Sequence, residues 1–169
     1  MKKTGKLLSI ILSIVAMVCA LPTTAFAAND NMNADNTNFT TAEFEALKPI
    51  YAEYEENSKA RAVEIIEKKN IGIAKKGTSL VISGYTYGNS DVKKCGFKEV
   101  VIERRKNSSS SWSEYKVYED LYSSSSSYVL KKSVTVPSGY QYRVTAIHYA
   151  KVSLFSTQKI SAVTGYLTF

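Results

Sequence analysis

The stretch SGYQYRVTAIHYA, residues 138–150, has the most regular side-chain pattern in the chain and contains its only histidine. Its residues alternate between two rows, one of which holds Tyr140, Tyr142, Val144, Ala146 and His148. A two-residue period over this length predicts a β-strand with one buried face. We expect Tyr142, Val144 and Ala146 to face the core, and His148 to lie where this row reaches the end of the strand. Because no second histidine exists, we interpret His148 as a structural side chain and not as a metal ligand.

The rest of the chain after residue 70 also has the pattern of strands and turns. Runs of strand length recur between clusters of Gly, Pro, Asn and Ser. Serine-rich stretches at 107–111 and 123–127 indicate loop tips, and Gly165 indicates a bulge in the last run. Seven strands without a helix signal predict an all-β fold, a seven-stranded sandwich of immunoglobulin or fibronectin type III character. The predicted strands are 70–75, 78–87, 97–105, 112–119, 127–136, 140–149 and 158–169.

The first 27 residues have the organisation of a signal peptide. A basic start, MKKTGK, precedes an apolar run of about 15 residues that is too short to span a bilayer. Ala25 and Ala27 form an A-x-A cleavage site, so that Ala28 would begin the mature chain. Val18 precedes Cys19 where a lipoprotein needs a small residue, which argues against lipidation. We therefore expect a secreted protein, extracellular or associated with the cell wall, without a transmembrane segment.

Charge divides the mature chain into two parts. Residues 28–70 contain nine acidic and five basic side chains, whereas residues 71–169 contain six acidic and fourteen basic ones. Such a boundary in charge favours a boundary in structure. We predict a disordered polar segment at 28–39, an acidic helical segment at 40–68 and a β-sandwich domain at 70–169. The acidic segment is either a spacer or docking helix, or a propeptide whose charge neutralises the basic domain.

Helix signals begin at residue 40. Thr40 and Glu43 have the spacing of a capping box. Phe39 and Phe44 have the spacing of a hydrophobic staple. We expect a helix that is kinked at Pro49 and whose face continues over Leu47, Tyr51 and Tyr54. This helix extends to about residue 69, or an extended stretch already begins near residue 63.

Several segments of the second half resemble fibronectin type III-like modules. VVIERR at 100–105, the loop closed by Trp112, and SVTVPSGYQYRVTAIHYA at 133–150 are similar to the C, C′, E and F strands of such modules. Residues 61–169, taken with the leader, also resemble a group of small secreted Gram-positive proteins of uncharacterised function. The resemblance implies the sandwich fold but no activity, because fold does not imply function.

The sequence contains few of the patterns that catalysis or metal binding requires. It has neither a Cys/His cluster nor a His-x-x-x-His spacing, so we expect no metal site and no cofactor. It has no Gly-x-Ser-x-Gly elbow and no glycine loop for phosphate. Cys95, the only cysteine after the leader, is interpreted as a small buried side chain. A dyad of Cys95 with His148 is the alternative; otherwise we predict no catalytic residue and no enzymatic activity.

Basic and aromatic side chains remain as candidates for binding. Basic pairs along 71–169 would attract anionic polymers, lipid headgroups or DNA without specificity. Alternatively, these basic residues only keep the exported domain soluble and protect its edge strands from pairing with other chains. Tyrosine with serine-rich loops is typical of adaptable binding surfaces, although tyrosine also simply suits strands. The candidate binding residues are Tyr85, Tyr87, Arg104, Arg105, Trp112, Tyr115 and Arg143.

These patterns together predict a secreted, non-catalytic binding protein of the bacterial cell envelope or extracellular space. Its partner would be an extracellular protein or an anionic cell-wall polymer. Specific nucleic-acid recognition is not expected, because no binding motif accompanies the charge. One alternative is a carbohydrate-binding module that uses Trp112, Tyr115, Tyr85 and Tyr87. The other is a small secreted antagonist, bacteriocin-like or an inhibitor.

Overall fold

The computed structural model describes residues 38–54 and 64–169. The predicted signal peptide with its cleavage site, residues 28–37 and residues 55–63 lie outside the described residues. The described chain forms one short helix and nine β-strands. The helix is α1 (Thr41–Ala46), and the strands are β1 (Ile50–Tyr54), β2 (Ile66–Lys76), β3 (Ser79–Gly88), β4 (Lys94–Arg105), β5 (Ser113–Ser123), β6 (Ser127–Thr135), β7 (Gln141–Ser153), β8 (Ser156–Thr164) and β9 (Leu167–Thr168).

The strands form an antiparallel sheet that is nearly closed. Hydrogen bonds connect them in the order β5-β4-β7-β8-β1-β2-β3-β6, and β9 pairs with β7. β1 joins the two halves of the sheet, because Ile50 pairs with Ile73 of β2 while Ala52 pairs with Thr164 of β8. The all-β prediction is confirmed. The described residues contain nine strands where seven were predicted, because β1 was not foreseen and the last predicted strand is divided into β8 and β9.

The stretch SGYQYRVTAIHYA, residues 138–150, contributes most of β7. Its buried and partly exposed residues alternate, and Tyr142, Val144 and Ala146 face the core as predicted. His148 is buried in the same row. The strand continues to Ser153, so the prediction that His148 lies at the end of the strand is wrong. β7 is longer than predicted because β4 pairs with it as far as Lys151 and β8 pairs with it as far as Ser153.

The main core lies between the two halves of the sheet. It consists of aliphatic side chains from β2, β3, β4, β6 and β7, together with the aromatic rings of Phe97 and Tyr142. Each buried aliphatic or aromatic side chain contributes about 1.5–3 kcal/mol of stability relative to an exposed one. Because Cys95 is a free thiol and forms no disulfide, this burial is what stabilises the fold around it. A smaller cluster lies where β2 begins and contains Ile65, Ile66, Val92, Cys95 and Ala150.

Helix α1 packs on the outer face of β2 and β3. The backbone N–H of Glu43 donates to Thr40 Oγ1 at 3.1 Å, and the backbone N–H of Thr40 donates to Glu43 Oε2 at 2.6 Å. The predicted capping box is therefore confirmed. The rings of Phe39 and Phe44 stack at 6.0 Å, as the predicted hydrophobic staple requires. Phe44 is buried in a cluster with Ala74 and Val81.

The structure corrects the helix prediction beyond residue 47. A proline disfavours the helical conformation of the residue before it, and Lys48, which precedes Pro49, has a φ of 55°. The chain leaves the helix there and enters β1 at Ile50. Tyr51 and Tyr54 therefore lie on a strand and not on a helical face. β2 begins at Ile66, so the extended alternative describes this stretch correctly.

The last predicted strand is interrupted at Gly165, where the bulge was expected. β8 and β9 both pair with β7, but β9 is shifted by one residue from the register that β8 sets. The side chain of Thr164 replaces a backbone partner at this point, because its Oγ1 accepts a hydrogen bond from Val144 N–H at 2.9 Å. Tyr166 follows in the interruption and contacts Trp112.

Candidate functional site

Aromatic and basic side chains meet on the outer face of β4 and β7. The ring centre of Trp112, directly before β5, lies 4.4 Å from the guanidinium carbon of Arg105 on β4. It lies 4.4 Å from the guanidinium carbon of Arg143 on β7 as well. Tyr166 adds a second ring, whose centre is 6.3 Å from that of Trp112 and 5.1 Å from the Arg105 guanidinium. These four residues are called the Trp112 cluster below.

Strand pairing determines where both arginines lie. Arg143 is opposite Glu103 in the ladder between β4 and β7, and its Nε donates to the Glu103 carboxylate at 2.7 Å. Arg105 is opposite Gln141, and its Nε donates to Gln141 Oε1 at 2.7 Å. The side chains of Arg143 and Glu103 are only 28% and 18% exposed, so solvent screens this ion pair less than a fully exposed one. Each of these bonds uses one of the five N–H donors of a guanidinium.

The Trp112 cluster has the chemistry of a receptor for anions. A guanidinium presents donors in a planar fork that matches phosphate and carboxylate oxygens. Contact with an aromatic ring stabilises the cation by about 0.5–1 kcal/mol at an exposed site, which favours one orientation of the side chain. Tyr166 is 47% exposed, so part of its ring can contact a ligand. The cluster can therefore bind a phosphate or carboxylate group together with a neighbouring apolar surface.

Arg104 and Tyr115, both predicted as binding residues, lie apart from the Trp112 cluster. The guanidinium carbon of Arg104 is 4.9 Å from the ring centres of Tyr115 and Tyr140. Tyr115 packs edge-on against the buried ring of Tyr142, at a centre distance of 5.6 Å. These contacts belong to the main core and its margin. Successive residues of a strand point to opposite faces of the sheet, which separates Arg104 from Arg105.

Tyr85 and Tyr87 lie on β3, in the other half of the sheet. Their rings stack on each other with centres 4.8 Å apart. β3 is bordered by β2 and β6, whereas the arginines of the Trp112 cluster belong to β4 and β7. Of the seven predicted binding residues, the structure thus brings Trp112 and two arginines together. Sequence reasoning missed Tyr166, because its contact with Trp112 depends on the pairing of β8 and β9 with β7.

His148 is fully buried between aromatic rings. Its Nδ1 lies 2.7 Å from Thr86 Oγ1, and its ring centre is 4.6 Å from that of Phe97 and 5.7 Å from that of Tyr54. Burial, together with the smaller effect of the Lys69 charge, lowers the pKa of His148 to about 3. Among the described residues, no hydrogen-bond partner reaches its buried Nε2. The imidazole is therefore neutral near pH 7.

Cys95 is buried beside the same threonine. Its Sγ donates a hydrogen bond to the Thr86 carbonyl oxygen at 3.0 Å. Burial raises the pKa of the Cys95 thiol to about 11, whereas a nucleophilic cysteine needs a lowered pKa. A dyad with His148 would thus contain neither an activated thiol nor a base that accepts a proton at neutral pH. The interpretation of Cys95 as a small packed side chain is confirmed.

Within residues 38–54 and 64–169, no group of three or more His, Cys, Asp or Glu side chains could hold a metal ion. The same ranges contain no helix with the length and hydrophobicity needed to cross a bilayer. Comparisons with protein-family models, curated proteins and solved structures found no match. The chemistry of the cluster therefore rests on its own geometry.

Proposed function

We propose that this protein is a secreted, non-catalytic binding protein whose ligand is an anionic polymer of the cell envelope or extracellular space. The observation that carries the proposal is the pair of guanidinium groups that lie 4.4 Å from the Trp112 ring. Arginine binds phosphate through paired N–H donors, and aromatic rings cover apolar surface beside it. A polymer of polyol or sugar units linked by phosphodiesters offers both features.

The charge of the domain supports the same class of ligand. Residues 71–169 contain fourteen basic and six acidic side chains. A field of this sign concentrates anions near the surface and speeds their association, without selecting among them. Selection would come from the fixed geometry of Arg105 and Arg143. The proposal therefore assigns attraction to the whole domain and recognition to the Trp112 cluster.

The strand order supports the fibronectin type III-like resemblance. With β2, β3 and β6 as strands A, B and E, strands β5, β4, β7 and β8 correspond to C′, C, F and G. Tyr142, near the start of β7, donates its hydroxyl hydrogen to the Pro137 carbonyl oxygen at 2.9 Å. The tyrosine corner of immunoglobulin-like sandwiches makes this type of bond. We infer a sandwich of this kind, with β1 as an additional strand and with a leader that directs it out of the cell.

The N-terminal acidic segment is proposed to be a spacer or docking element and not a propeptide. Its described part contributes β1, which pairs with β8 and with β2. Removal of residues 28–69 would delete β1 and the first residues of β2. The facing edges of β8 and β2 would then lose their partners, and unpaired edges promote aggregation.

Arginine-to-lysine substitution separates recognition from general charge. The variant R105K/R143K keeps the net charge but loses the planar fork and its stacking on Trp112. The matched control K76Q/K93Q removes two positive charges from exposed positions outside the cluster. At physiological salt we expect R105K/R143K to bind a purified teichoic acid at least about tenfold more weakly than the wild type.

Titration of the mature chain with the purified polymer measures these affinities. The control K76Q/K93Q should lose less than about threefold, because exposed charges act through a screened field. If the control loses more affinity than R105K/R143K, binding is non-specific and the proposed role of the Trp112 cluster is wrong. Circular dichroism of each variant establishes that it remains folded.

A carbohydrate-binding module is the second candidate, favoured by the pairing of the Trp112 and Tyr166 rings. Such a module would retain a neutral glycan through ring contacts, so W112A would lose binding and R105K/R143K would keep it. A glycan array probed with all three proteins tests this. No retention of the wild type on any neutral glycan would exclude this candidate.

A further inference from the structure

The turn between β7 and β8 exposes two large apolar side chains. Leu154 and Phe155 form the turn, and they are 79% and 99% exposed. Turns of two residues normally contain Asn, Asp or Gly, whose backbones suit the turn. Neither apolar side chain is buried against the domain, so packing does not explain them either. These two residues are called the hydrophobic tip.

Lysines lie around the base of the hydrophobic tip. Lys94 is opposite Lys151 in the ladder between β4 and β7, and the backbone N–H of Lys93 donates to the Lys151 carbonyl oxygen at 2.9 Å. Lys159 lies further along β8, opposite Tyr149. Among the described residues, three acidic side chains lie near these four lysines, namely Glu64, Asp91 and Asp120. This end of the sheet is therefore positively charged around an apolar point.

We propose that the hydrophobic tip inserts into the interface of an anionic lipid bilayer. Apolar side chains beside lysines are the combination that binds to such an interface, because the former enter the acyl boundary while the latter contact the headgroups. Lysine suits this position because its long apolar stem lets the ammonium group reach the headgroup layer. A protruding turn also needs no complementary pocket when the partner is a deformable lipid layer.

The hydrophobic tip is independent of the Trp112 cluster. It lies beyond Lys94 and Lys151, whereas Arg105 and Gln141 pair at the opposite end of the same ladder. One molecule could therefore hold a lipid surface at one end and a polymer near the other. A second copy of the chain is a poor occupant, because two tips would bury far less than the roughly 1,200 Å² of a stable interface.

Vesicle binding tests the proposal with the chain that begins at Ala28, since the apolar leader would itself bind lipid. Equimolar phosphatidylglycerol and phosphatidylcholine vesicles are the probe, and pure phosphatidylcholine vesicles are the uncharged reference. We expect L154S/F155S to bind the anionic vesicles at least about tenfold more weakly than the wild type. The matched control V117S/V129S removes two exposed apolar side chains from β5 and β6 and should change binding less than about twofold.

The charge of the lysines and the depth to which the hydrophobic tip inserts provide two further tests. K93Q/K151Q should weaken binding to anionic vesicles more than K76Q/K106Q, which removes two lysines from the opposite end of the domain. Vesicles should shift the emission of a Phe155→Trp variant to shorter wavelength, whereas a Val129→Trp variant should show no shift. Trp112, the only natural tryptophan, contributes the same background fluorescence in both variants.

Several results would overturn the proposal. These are no binding of the wild type to anionic vesicles, equal binding by L154S/F155S, or unchanged emission of Phe155→Trp in the presence of vesicles. A dimer in sedimentation velocity that L154S/F155S abolishes, without vesicle binding, would identify a second copy of the chain as the occupant instead.

Discussion

Acidification should destabilise this protein through its only histidine. His148 has a pKa of about 3 in the folded protein, against about 6.5 in an unfolded chain. Between these values the unfolded chain binds a proton that the folded chain does not bind, so the free energy of unfolding falls as the pH falls. This contribution is fully present above pH 6.5. By pH 5 about 2 kcal/mol is lost, and each further unit down to about pH 3 costs roughly 1.4 kcal/mol.

The magnitude at pH 5 depends little on the exact folded-state pKa of His148, provided that this pKa lies well below 5. Its cause is burial beside Phe97 and Tyr54, because an imidazolium there would lose its hydration. Among the described residues, the only charge that affects this pKa is the positive charge of Lys69. The Thr86 hydroxyl can bond to Nδ1 of the neutral ring, but it carries no charge that would stabilise the cation.

Denaturant unfolding of the wild type and of His148→Asn between pH 5 and pH 8 measures this effect. Asparagine keeps a polar atom near Thr86 but does not titrate. Subtraction of the two curves removes the titration of the carboxylates, and the wild-type excess should fall by about 2 kcal/mol between pH 8 and pH 5. In NMR spectra of the folded wild type, the single imidazole should not titrate above about pH 4. A pH-independent difference, or an imidazole midpoint near 6.5, would refute the buried neutral ring.

Two substitutions and one labelling experiment test the core. Tyr142→Phe removes the bond to the Pro137 carbonyl oxygen and should lower the free energy of unfolding by about 1 kcal/mol in a urea titration; an unchanged midpoint would mean that this bond has no net value. Cys95 should resist a thiol reagent in native buffer, because it is buried and its pKa is raised to about 11, and it should react at once in denaturant; rapid native labelling would contradict its burial. Gly96→Ala would place a Cβ 2.0 Å from the Leu121 carbonyl oxygen, so we expect a loss of at least about 2 kcal/mol, seen as a lower Tm; an unchanged Tm would show that β5 can move away without cost.

The features predicted correctly depend on residues that are close in the chain. The alternation around Tyr142 reports the two faces of a strand, and the bond between Thr40 and Glu43 spans three residues. The bulge at Gly165 is also local, because it reflects one residue that departs from the strand pattern. These signals operate before any tertiary contact forms, so they can be seen in the sequence.

The candidate site was predictable only in part. Alternation alone could have separated Arg104 from Arg105, because neighbours on a strand face opposite sides. The contact of Trp112 with Arg143 required knowledge that β4 and β7 are neighbours in the sheet. Tyr166 joins them only because the chain returns beside β7 after the bulge.

The sequence by itself determined which residues form most of the strands and which of their side chains turn inward. Only the tertiary structure determined that residues 50–54, which follow a helix and carry no strong strand signal, form strand β1. Ile50 pairs with Ile73, and Ala52 pairs with Thr164 from the far end of the chain. Such pairing is made by backbone N–H and C=O groups, which are the same in nearly every residue. Side chains therefore reveal which face of a strand is buried, but only the assembled sheet determines which strands become neighbours.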